Sequence, residues 1–507
     1  MNAELTEKKK KIVEYYLKQK ILLSKEVLQK LQHEEHIEHI YHEIEHPSPA
    51  PSTSQTHSTH TPSRTQSMPS TRTPDDTPTT QDPHTSSSPY TVTIKQEYFT
   101  EQENYTVKDW VGHFTTRFRK IEAMLQQRAE LQNLTSIRRL QEKSERETVS
   151  IIGMVYEKGD TKNGNISFTL EDLSGFFKVI VSKNSPGFET ARDTQLDEVI
   201  GIVGSLGNNV IFANNIIYPD IPLATEIKKS PDEVYACVPS DPQVGSKLFL
   251  PDRFMNFIKW TRGEYGSPAE REAAKKTGYI LLPGDVVEGI GIFPGQEEEL
   301  DIPDIYAQYK EFARYLDMIP KDKQIIICTG NHDACRIAEP QPRIYKQFAE
   351  DLYKLPNVHL VTNPSIINIH RQDNFPGFDC LFYHGFSYVY YGDNVQSIKN
   401  SGFPISDRTG IIMKYLLQRR HLAPTYTSTR VLPNPREDCL VIEHIPDFFL
   451  SGHIHKAIVT SHRGVSIIVG SCFMGLSAYQ EKFGHVPVPG QVPLINLKTR
   501  KISMLEF

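Results

Sequence analysis

The sequence predicts an α/β domain that follows a small β-barrel and a helical N-terminal module. Three observations support this prediction. In the C-terminal half, short apolar runs of strand length each end in a polar block, a pattern typical of buried strands in an α/β sheet. Residues 149–218 contain several short strand-like runs separated by turn residues, which favours a barrel. Residues 4–45 carry apolar positions at helical spacing.

The N-terminal segment predicts two short amphipathic helices that form a docking module over residues 1–46, with Ser24 as an N-cap. In the second helix, histidines recur at every third position beside several glutamates. A solvated acidic face is the favoured interpretation of this pattern, and a metal site is the alternative. The histidines concerned are His33, His36, His39 and His42.

Residues 47–90 are predicted to be a disordered tether. The stretch from 47 to 89 is dominated by Ser, Thr and Pro and contains no Ile, Leu, Val, Phe or Trp. Such a segment cannot bury enough apolar surface to offset the entropy lost on ordering. The tether therefore lets the front module move relative to the rest.

Residues 91–146 are predicted to form a helical connector, because apolar residues recur there on one helical face. We expect this face to pack on the barrel that follows. The apolar residues of the face are Val107, Trp110, Val111, Phe114, Phe118, Ile121 and Leu125.

An OB-fold barrel is predicted for residues 147–222. Residues 166–170 alternate with a period of two, and further short strands are predicted at 149–155, 176–181 and 198–203. OB-folds commonly bind single strands through basic grooves and aromatic residues, but this region is not markedly basic. We therefore expect its aromatic residues to lie in the core or at a subunit interface.

Residues 232–507 are predicted to form the α/β domain, and its polar blocks follow predicted strands. Apolar residues at 279–282, 324–328 and 448–450 precede the blocks that contain Asp285, Asn331 and His453. Open α/β sheets place their ligands at the carboxyl ends of their strands. Each block alone is also compatible with an ordinary polar turn. A fourth block is formed by His384 and Gly385.

The residue types in these blocks suit divalent cations. The carboxylate of Asp285 has two oxygens and can bridge two ions, and Asn331 offers a neutral carbonyl oxygen. Imidazoles from His384, His453 and His455 suit Mn, Fe or Zn better than Mg or Ca. Two such ions can clamp a phosphodiester and activate a water. Because His453 and His455 are two residues apart, an extended chain would direct both side chains to the same side.

The order of the blocks resembles the calcineurin-like metallophosphoesterases. This resemblance implies an α/β sandwich of two packed mixed sheets flanked by helices. Residues 284–296, 330–342, 420–424 and 446–456 are more specifically similar to the small subunit of archaeal family D DNA polymerase. That similarity runs from about Trp110 to the C-terminus.

The resemblance implies two divalent cations and a set of residues that hold them. Mn is the expected metal, with Mg, Fe and Zn as alternatives. In the family the first motif carries a histidine where this chain has Gln243, and a Gln amide is a poorer donor than imidazole for such cations. His332 is implied as a general acid over the scissile phosphate, and Asp333 as the residue that orients it. The implied ligands are Asp241, Asp285, His455 and the changed Gln243 for the first ion, and Asp285, Asn331, His384 and His453 for the second.

The implied activity is 3′ to 5′ hydrolysis at a DNA primer 3′ end while a separate large catalytic subunit polymerises. The N-terminal module is expected to contact replication factors. Because Gln243 replaces a ligand, a catalytically weakened or inactive scaffold subunit of the same polymerase stays an alternative. A phosphatase of phosphoproteins or small molecules would use the same metals, but the N-terminal extension and the barrel count against it.

Composition adds three expectations. A formal charge of −6 and a pI near 6.4 do not resemble a free-standing duplex-DNA binder, so a partner is expected to supply most DNA contacts. Six cysteines without a C-x-x-C pair indicate reduced core residues of a cytoplasmic protein. The chain has neither an apolar run long enough for a membrane span nor a signal-peptide pattern, so no membrane association is expected.

Two further features of the C-terminal domain are singled out by the sequence. Arg419, Arg420 and His421 form a basic group that is expected to contact DNA phosphates or acidic residues of a partner, with a solvated turn as the alternative. A glycine-rich loop after Asp285 is predicted to approach the metals closely, although its spacing is not that of a nucleotide-binding loop. Its glycines are Gly289, Gly291 and Gly295.

Overall fold

The computed structural model describes residues 88–99, 104–223, 226–477, 480–481 and 486–507. All of them belong to one compact unit of the chain, residues 76–507. Within these residues, seventeen strands form two six-stranded sheets and one closed five-stranded barrel. The predicted N-terminal helices, the histidine repeat and nearly all of the tether lie outside the described residues.

The strands and helices are numbered in chain order. The strands are β1 (Val92–Glu97), β2 (Thr148–Asp160), β3 (Ile166–Asp172), β4 (Gly175–Val181), β5 (Val199–Gly207), β6 (Val210–Ile217), β7 (Tyr235–Cys237), β8 (Thr277–Leu282), β9 (Gln324–Cys328), β10 (Val358–Val361), β11 (Ser365–Ile369), β12 (Phe378–Phe382), β13 (Phe448–Ser451), β14 (Ile458–His462), β15 (Val465–Val469), β16 (Gln491–Asn496) and β17 (Ile502–Glu506). The helices are α1 (Val107–Leu125), α2 (Phe188–Asp193), α3 (Pro251–Thr261), α4 (Pro268–Lys275), α5 (Ile305–Asp317), α6 (Glu350–Lys354), α7 (Tyr388–Asn394), α8 (Gln396–Lys399) and α9 (Ile405–Arg419).

The barrel has the strand order β2-β3-β4-β6-β5 and closes by antiparallel pairing of β2 with β5. Strand β3 alternates between buried and partly exposed residues, so that Ile166, Phe168 and Leu170 face the barrel core, as their spacing predicts. The prediction of a small barrel in this region is confirmed. Its assignment as an OB-fold stays a prediction.

Aromatic residues of the barrel divide between its core and its surface. Phe168 is buried, whereas Tyr156, Phe176 and Phe212 are exposed. The rings of Tyr156 and Phe176 lie edge to face, with 5.1 Å between their centroids. A core position is therefore confirmed for Phe168, and an interface role for the exposed rings stays a prediction.

Helix α1 begins with a capping box in which Thr106 N donates to Asp109 Oδ2 at 2.8 Å. Its C-terminal half buries Phe118, Ile121 and Leu125 in a cluster with barrel residues, so the expected packing on the barrel is confirmed. The barrel residues of that cluster include Ile152, Met154 and Val199.

The N-terminal part of α1 differs from the sequence prediction. Val107 and Val111 are 80% and 60% exposed. Trp110 instead packs edge to face against Tyr426, with 4.9 Å between ring centroids. The apolar face is therefore only partly core, because the first turns of the helix contact a loop rather than the barrel.

The predicted helical connector of residues 91–146 also needs correction, because it begins with a strand. Strand β1 pairs antiparallel with β11 at the edge of the first sheet. Val92 and Ile94 point toward the apolar core between the sheets. The alternation of apolar residues in β1 is short, so the sequence signal of this region is dominated by the longer helical pattern that follows.

Two mixed sheets pack face to face in the C-terminal part. Their strand orders are β1-β11-β12-β13-β15-β14 and β10-β9-β8-β7-β16-β17. Strand β8 shows the layering, since Tyr279 and Leu281 face the core between the sheets while Ile280 and Leu282 face helices α3 and α5. Strand β13 is arranged likewise, with Phe449 toward α7 and α9. Burial on both faces explains why these strands are continuous apolar runs.

These layers confirm the expected sandwich of two mixed sheets flanked by helices. The six cysteines are unpaired, and all except the partly exposed Cys335 are buried. No helix of the described chain has both the length and the apolar character that crossing a membrane requires.

Glu339 is a buried carboxylate in the loop that follows β9. Its side chain is 1% exposed, and Tyr383 Oη donates to Glu339 Oε2 at 3.4 Å. Within the described residues, Oε1 has no hydrogen-bond partner. Burial raises the pKa of Glu339 from its usual value of 4.5 to about 8. At neutral pH the folded chain therefore holds a proton that the unfolded chain releases.

We predict that Glu339 makes the protein less stable as pH rises from about 5 to 8. The pKa of Glu339 is higher in the folded chain than in the unfolded chain. The contribution of its protonated form to stability is therefore fully present below pH 4.5 and is lost as pH rises through about 8. Glu339→Gln should flatten this slope and stabilise the protein at pH 8.5 by on the order of a few kcal/mol. Thermal unfolding across this pH range measures both effects. Glu297→Gln on the surface is the control, and equal slopes for wild type and Glu339→Gln would contradict the prediction.

Candidate metal centre

The polar blocks lie directly after strands whose carboxyl ends meet at one edge of the sandwich. Strands β7, β8 and β9 run parallel in one sheet, and β12 and β13 run parallel in the other. The predicted placement at strand ends is therefore confirmed. The residues concerned are Asp241 after β7, Asp285 after β8, Asn331 after β9, His384 after β12, and His453 and His455 after β13.

Asp285 lies at the centre of the cluster. Its side chain is 1% exposed and its backbone is left-handed, with φ of 50°. Asp285 Oδ1 accepts the backbone N–H of His332 at 2.8 Å, and Oδ2 lies 3.1 Å from His384 Nε2. Gly330 permits this approach, because a Cβ there would lie 2.1 Å from Asp285 Oδ1.

His384 shows that the centre requires positive charge. Its Nδ1 lies 2.7 Å from the Pro283 carbonyl oxygen, to which it donates. Its Nε2 then faces two oxygens, Asn331 Oδ1 at 3.0 Å and Asp285 Oδ2 at 3.1 Å. Burial opposes protonation of His384, but the Asp285 carboxylate outweighs it and raises the pKa of His384 to about 9. A proton or a metal ion is therefore needed between Nε2 and these oxygens.

The residues predicted for the second ion come together. Ligand atoms of Asp285, His384 and His453 lie within 4.8 Å of one another, and Asn331 Oδ1 contacts the same His384 nitrogen. Burial and the neighbouring His384 lower the pKa of His453 well below its usual range, so its imidazole is neutral. A neutral imidazole is the form that coordinates a metal.

The residues predicted for the first ion also adjoin one another. Asp241 is fully buried, and its Oδ1 lies 3.5 Å from His455 Nε2. Gln480, which carries no role in the sequence prediction, contacts His455 Nδ1 through Nε2 at 2.6 Å. The backbone N–H of Gln243 donates to the Asp285 carbonyl oxygen at 3.1 Å, which places this residue against the centre.

Gln243 carries the clearest sign of a missing partner. Its side chain is 2% exposed, and its Oε1 has no hydrogen-bond partner among the described residues. An unsatisfied buried amide oxygen costs about 1–3 kcal/mol, so it is uncommon in folded proteins. A cation bound to this oxygen would remove that cost, and the residues present therefore fit the implied metals.

The loop after β13 differs from the predicted extended conformation. His453 and His455 have φ of 69° and 59°, so both are left-handed. This turn lets the backbone N–H of His453 donate to both oxygens of Asp241, at 3.0 and 3.1 Å. Gly452 is required by the same approach, since a Cβ there would lie 2.2 Å from Ser240 Oγ.

Glu288 is a site residue that sequence reasoning missed. His332 Nδ1 donates to the Glu288 carbonyl oxygen at 2.8 Å and lies 3.9 Å from Glu288 Oε1. The Glu288 side chain is buried, Gln296 donates to Oε1 at 3.2 Å, and burial raises the pKa of this carboxyl group. The sequence signal that could have identified Glu288 is its position three residues after the candidate ligand Asp285.

Asp333 does not orient His332 as predicted. It accepts the backbone N–H groups of Gly330, Asp285 and Val286 at 2.8, 3.1 and 3.2 Å. Burial and the nearby Asp285 carboxylate raise the pKa of Asp333 to about 7. Because these amides from two loops converge on it, Asp333 fixes the backbone that carries the ligands, and Glu288 takes the position beside His332.

The predicted contacts of Arg419, Arg420 and His421 with DNA or a partner are corrected, because all three are buried. Arg419 lies 3.5 Å above the Tyr415 ring centroid and pairs with Glu198 at 3.3 Å. Each residue is satisfied within the chain. Arg420 donates to the carbonyl oxygens of Ile442 and Glu443, both at 2.8 Å, and His421 Nε2 lies 3.0 Å from Asp438 Oδ2.

The predicted close approach of the glycine-rich loop is confirmed at Gly289, whereas among the described residues a Cβ at Gly291 or Gly295 would meet no atom within 4 Å. A Cβ at Gly289 would lie 2.2 Å from the His332 carbonyl oxygen, and its φ is 76°. Gln296 ties the loop to Glu288, since its Nε2 also donates to the Glu288 carbonyl oxygen at 3.0 Å. The loop therefore holds Glu288 and His332 against each other.

Comparison with known proteins identifies the family of the chain. Residues 305–460 match the model of the B-subunit family of DNA polymerases alpha and epsilon. Solved structures match only weakly. Asparaginyl-tRNA synthetase from Pyrococcus horikoshii, for example, is 17% identical with a TM-score of 0.15, and the match covers 17% of this chain and 22% of that chain. This similarity is too low to indicate a shared fold.

Curated relatives are similar over most of the chain. The DNA polymerase II small subunit of Methanothermobacter thermautotrophicus is 36% identical over 412 residues, which cover 80% of this chain and 82% of that protein. The protein of the same name from Archaeoglobus fulgidus is 37% identical, covering 76% of this chain and 74% of its own length. The Pyrococcus furiosus protein of the same name is 35% identical, and the match covers 79% of this chain and 64% of that protein. The chain therefore belongs to the family of DNA polymerase II small subunits, the archaeal family D small subunits that its motifs resemble.

Proposed function

We propose that this chain is the proofreading subunit of a two-subunit DNA polymerase, and that it removes nucleotides from a DNA primer 3′ end with two divalent cations. The observation that supports this most directly is the convergence of buried Asp285, Asn331 and His384 with the partly exposed His453. In this proposal the sandwich is a metallophosphoesterase domain and the barrel is an OB-fold. Mn is the proposed metal, with Mg, Fe and Zn as alternatives.

When bound, the cations would polarise the scissile phosphate and lower the pKa of an attacking water. The second would be held by Asp285, Asn331, His384 and His453, and the first by Asp241, Asp285, His455 and Gln243. The residues of the chain supply the rest of the chemistry. Because His332 donates its Nδ1 proton to the Glu288 carbonyl, its Nε2 is free to hold a proton for the departing 3′ oxygen.

The proposed substrate and partner rest on family membership rather than on the geometry of the centre. The relatives are small subunits by name, so we propose that a large catalytic subunit polymerises and supplies most DNA contacts. The formal charge of −6 agrees with this division, because the chain lacks the excess of basic residues of a free-standing DNA binder. Contact of the N-terminal module with replication factors stays a prediction.

A second candidate function is a scaffold subunit with weakened or no nuclease activity. One observation favours it, namely the glutamine at position 243, where the family resemblance implies a histidine ligand. The buried Oε1 of this glutamine, which has no hydrogen-bond partner in the described part of the chain, favours the nuclease instead, because an unsatisfied oxygen suits a cation. Metal binding therefore distinguishes the two functions.

We predict that Asn331→Ala and His332→Ala each abolish nucleotide release while leaving the two-subunit complex intact. In His332→Ala, loss of the positioned general acid should lower the rate of nucleotide release by a factor on the order of 10²–10⁴. In Asn331→Ala, the loss follows from removal of a candidate metal ligand. The assay is Mn-dependent release of 3′ nucleotides from a mismatched primer by the purified complex. His444→Ala is the control, because His444 contacts Asp379 at 2.9 Å near the opposite end of β12 from His384. Loss of the complex in either variant would count against these roles.

We predict that Gln243→His strengthens Mn binding, because imidazole is the better donor for this ion. The affinity should rise on the order of 10-fold, a change that even outer-shell partners of metal sites produce. Gln243→Leu is the matched control, since it fills similar space without a donor and should weaken binding. Isothermal titration of the three proteins with Mn gives the result. Equal affinities for Gln, His and Leu would show that residue 243 is not a ligand.

A further inference from the structure

Phe386 is an aromatic residue at the rim of the metal centre. It is the second residue after His384, and Gly385 between them has φ of 118°. A Cβ at Gly385 would lie 2.5 Å from Tyr388 Cε2, so only glycine fits this turn. The neighbours His384 and Ser387 are fully buried, whereas Phe386 is partly exposed. The turn therefore brings one apolar side chain from the centre to solvent.

The ring of Phe386 adjoins a candidate ligand. Its centroid lies 5.9 Å from that of His453, with 52° between the planes. The His453 ring in turn lies 5.1 Å from the His384 ring. Phe386 therefore contacts one member of the converging cluster, and only the His453 ring separates it from His384. The Phe386 ring therefore lies close enough to these candidate ligands to contact a group that is bound at them.

Core packing does not account for this position. In the part of the chain that the structure describes, Phe386 belongs to none of the five hydrophobic clusters. By contrast, Tyr388 and Tyr391 of the following helix are fully buried in the cluster beneath α9. A partly exposed phenylalanine beside a polar centre leaves apolar surface in water, which a flat apolar ligand would cover.

We infer that Phe386 is the stacking platform for the base of the 3′-terminal nucleotide, and this inference rests on the proposed nuclease function. Every base has a π face, so stacking holds a terminal nucleotide without regard to its identity. A base must leave its duplex stack to reach the ring, and this costs least at a mispaired end. Phe386 thus selects frayed or mismatched ends over paired ones.

The experiment compares two single-stranded substrates, one with an intact terminal base and one whose terminal sugar lacks a base. The purified two-subunit complex with Mn is assayed as wild type, Phe386→Ala, Phe386→Leu and Phe386→Trp. For wild type, removal of the base should raise KM about 10-fold, as expected for one lost stacking contact. Phe386→Ala should show the same rise on the intact end and no further rise on the baseless end, with kcat nearly unchanged.

Phe386→Leu is the matched control, because it keeps an apolar contact with His453 but has no aromatic face. Under the inference it behaves like Phe386→Ala, and Phe386→Trp behaves like wild type. A Phe386→Ala variant that still distinguishes the two ends by the wild-type factor would overturn the inference. So would a loss of kcat together with weaker Mn binding by calorimetry, which would make Phe386 a residue that positions His453. If wild type releases no nucleotide from either end, the proposed nuclease function fails first.

Discussion

The burial of three carboxylates in one place is the constraint on which the centre depends. Asp241, Asp285 and Asp333 are each at most 2% exposed. Removing an ionised carboxylate from water costs on the order of several kcal/mol unless hydrogen bonds and positive charge compensate it. Backbone N–H groups supply the hydrogen bonds, and His384 supplies one positive charge in the absence of metal. Buried carboxylates thus make this centre one that a bound cation would stabilise.

The sandwich serves this constraint by bringing loops from both sheets together. Asp241, Asp285 and Asn331 follow strands of one sheet, and His384 and His453 follow strands of the other. The loops approach so closely that two glycines are fixed by contact, Gly330 against Asp285 and Gly452 against Ser240. The apolar strands beneath are buried on both faces, which fixes the points from which the loops start. Packing of the core therefore determines how the candidate ligands are arranged.

The strands, and the polar residues that cluster after them, were predictable from sequence because their signals are local. The apolar runs before Asp285 and Asn331 are β8 and β9 of the structure, and the barrel lies where its short strands predict it. Roles set by tertiary neighbours were not predictable. Glu288, which had no predicted role, lies beside His332 where Asp333 was expected, because Asp333 instead accepts converging backbone amides that are invisible in sequence. Likewise, Arg419 resembles a surface residue in sequence but is buried against Tyr415 and Glu198.

The most direct test of the metal centre is the number of manganese ions that the chain binds. Equilibrium dialysis of the full chain followed by elemental analysis measures this number for wild type, Asp285→Asn and His384→Gln. The account predicts two ions for wild type, close to none for Asp285→Asn, which loses the bridging carboxylate, and one for His384→Gln. Wild type that binds no manganese, or Asp285→Asn that binds as much as wild type, would contradict it.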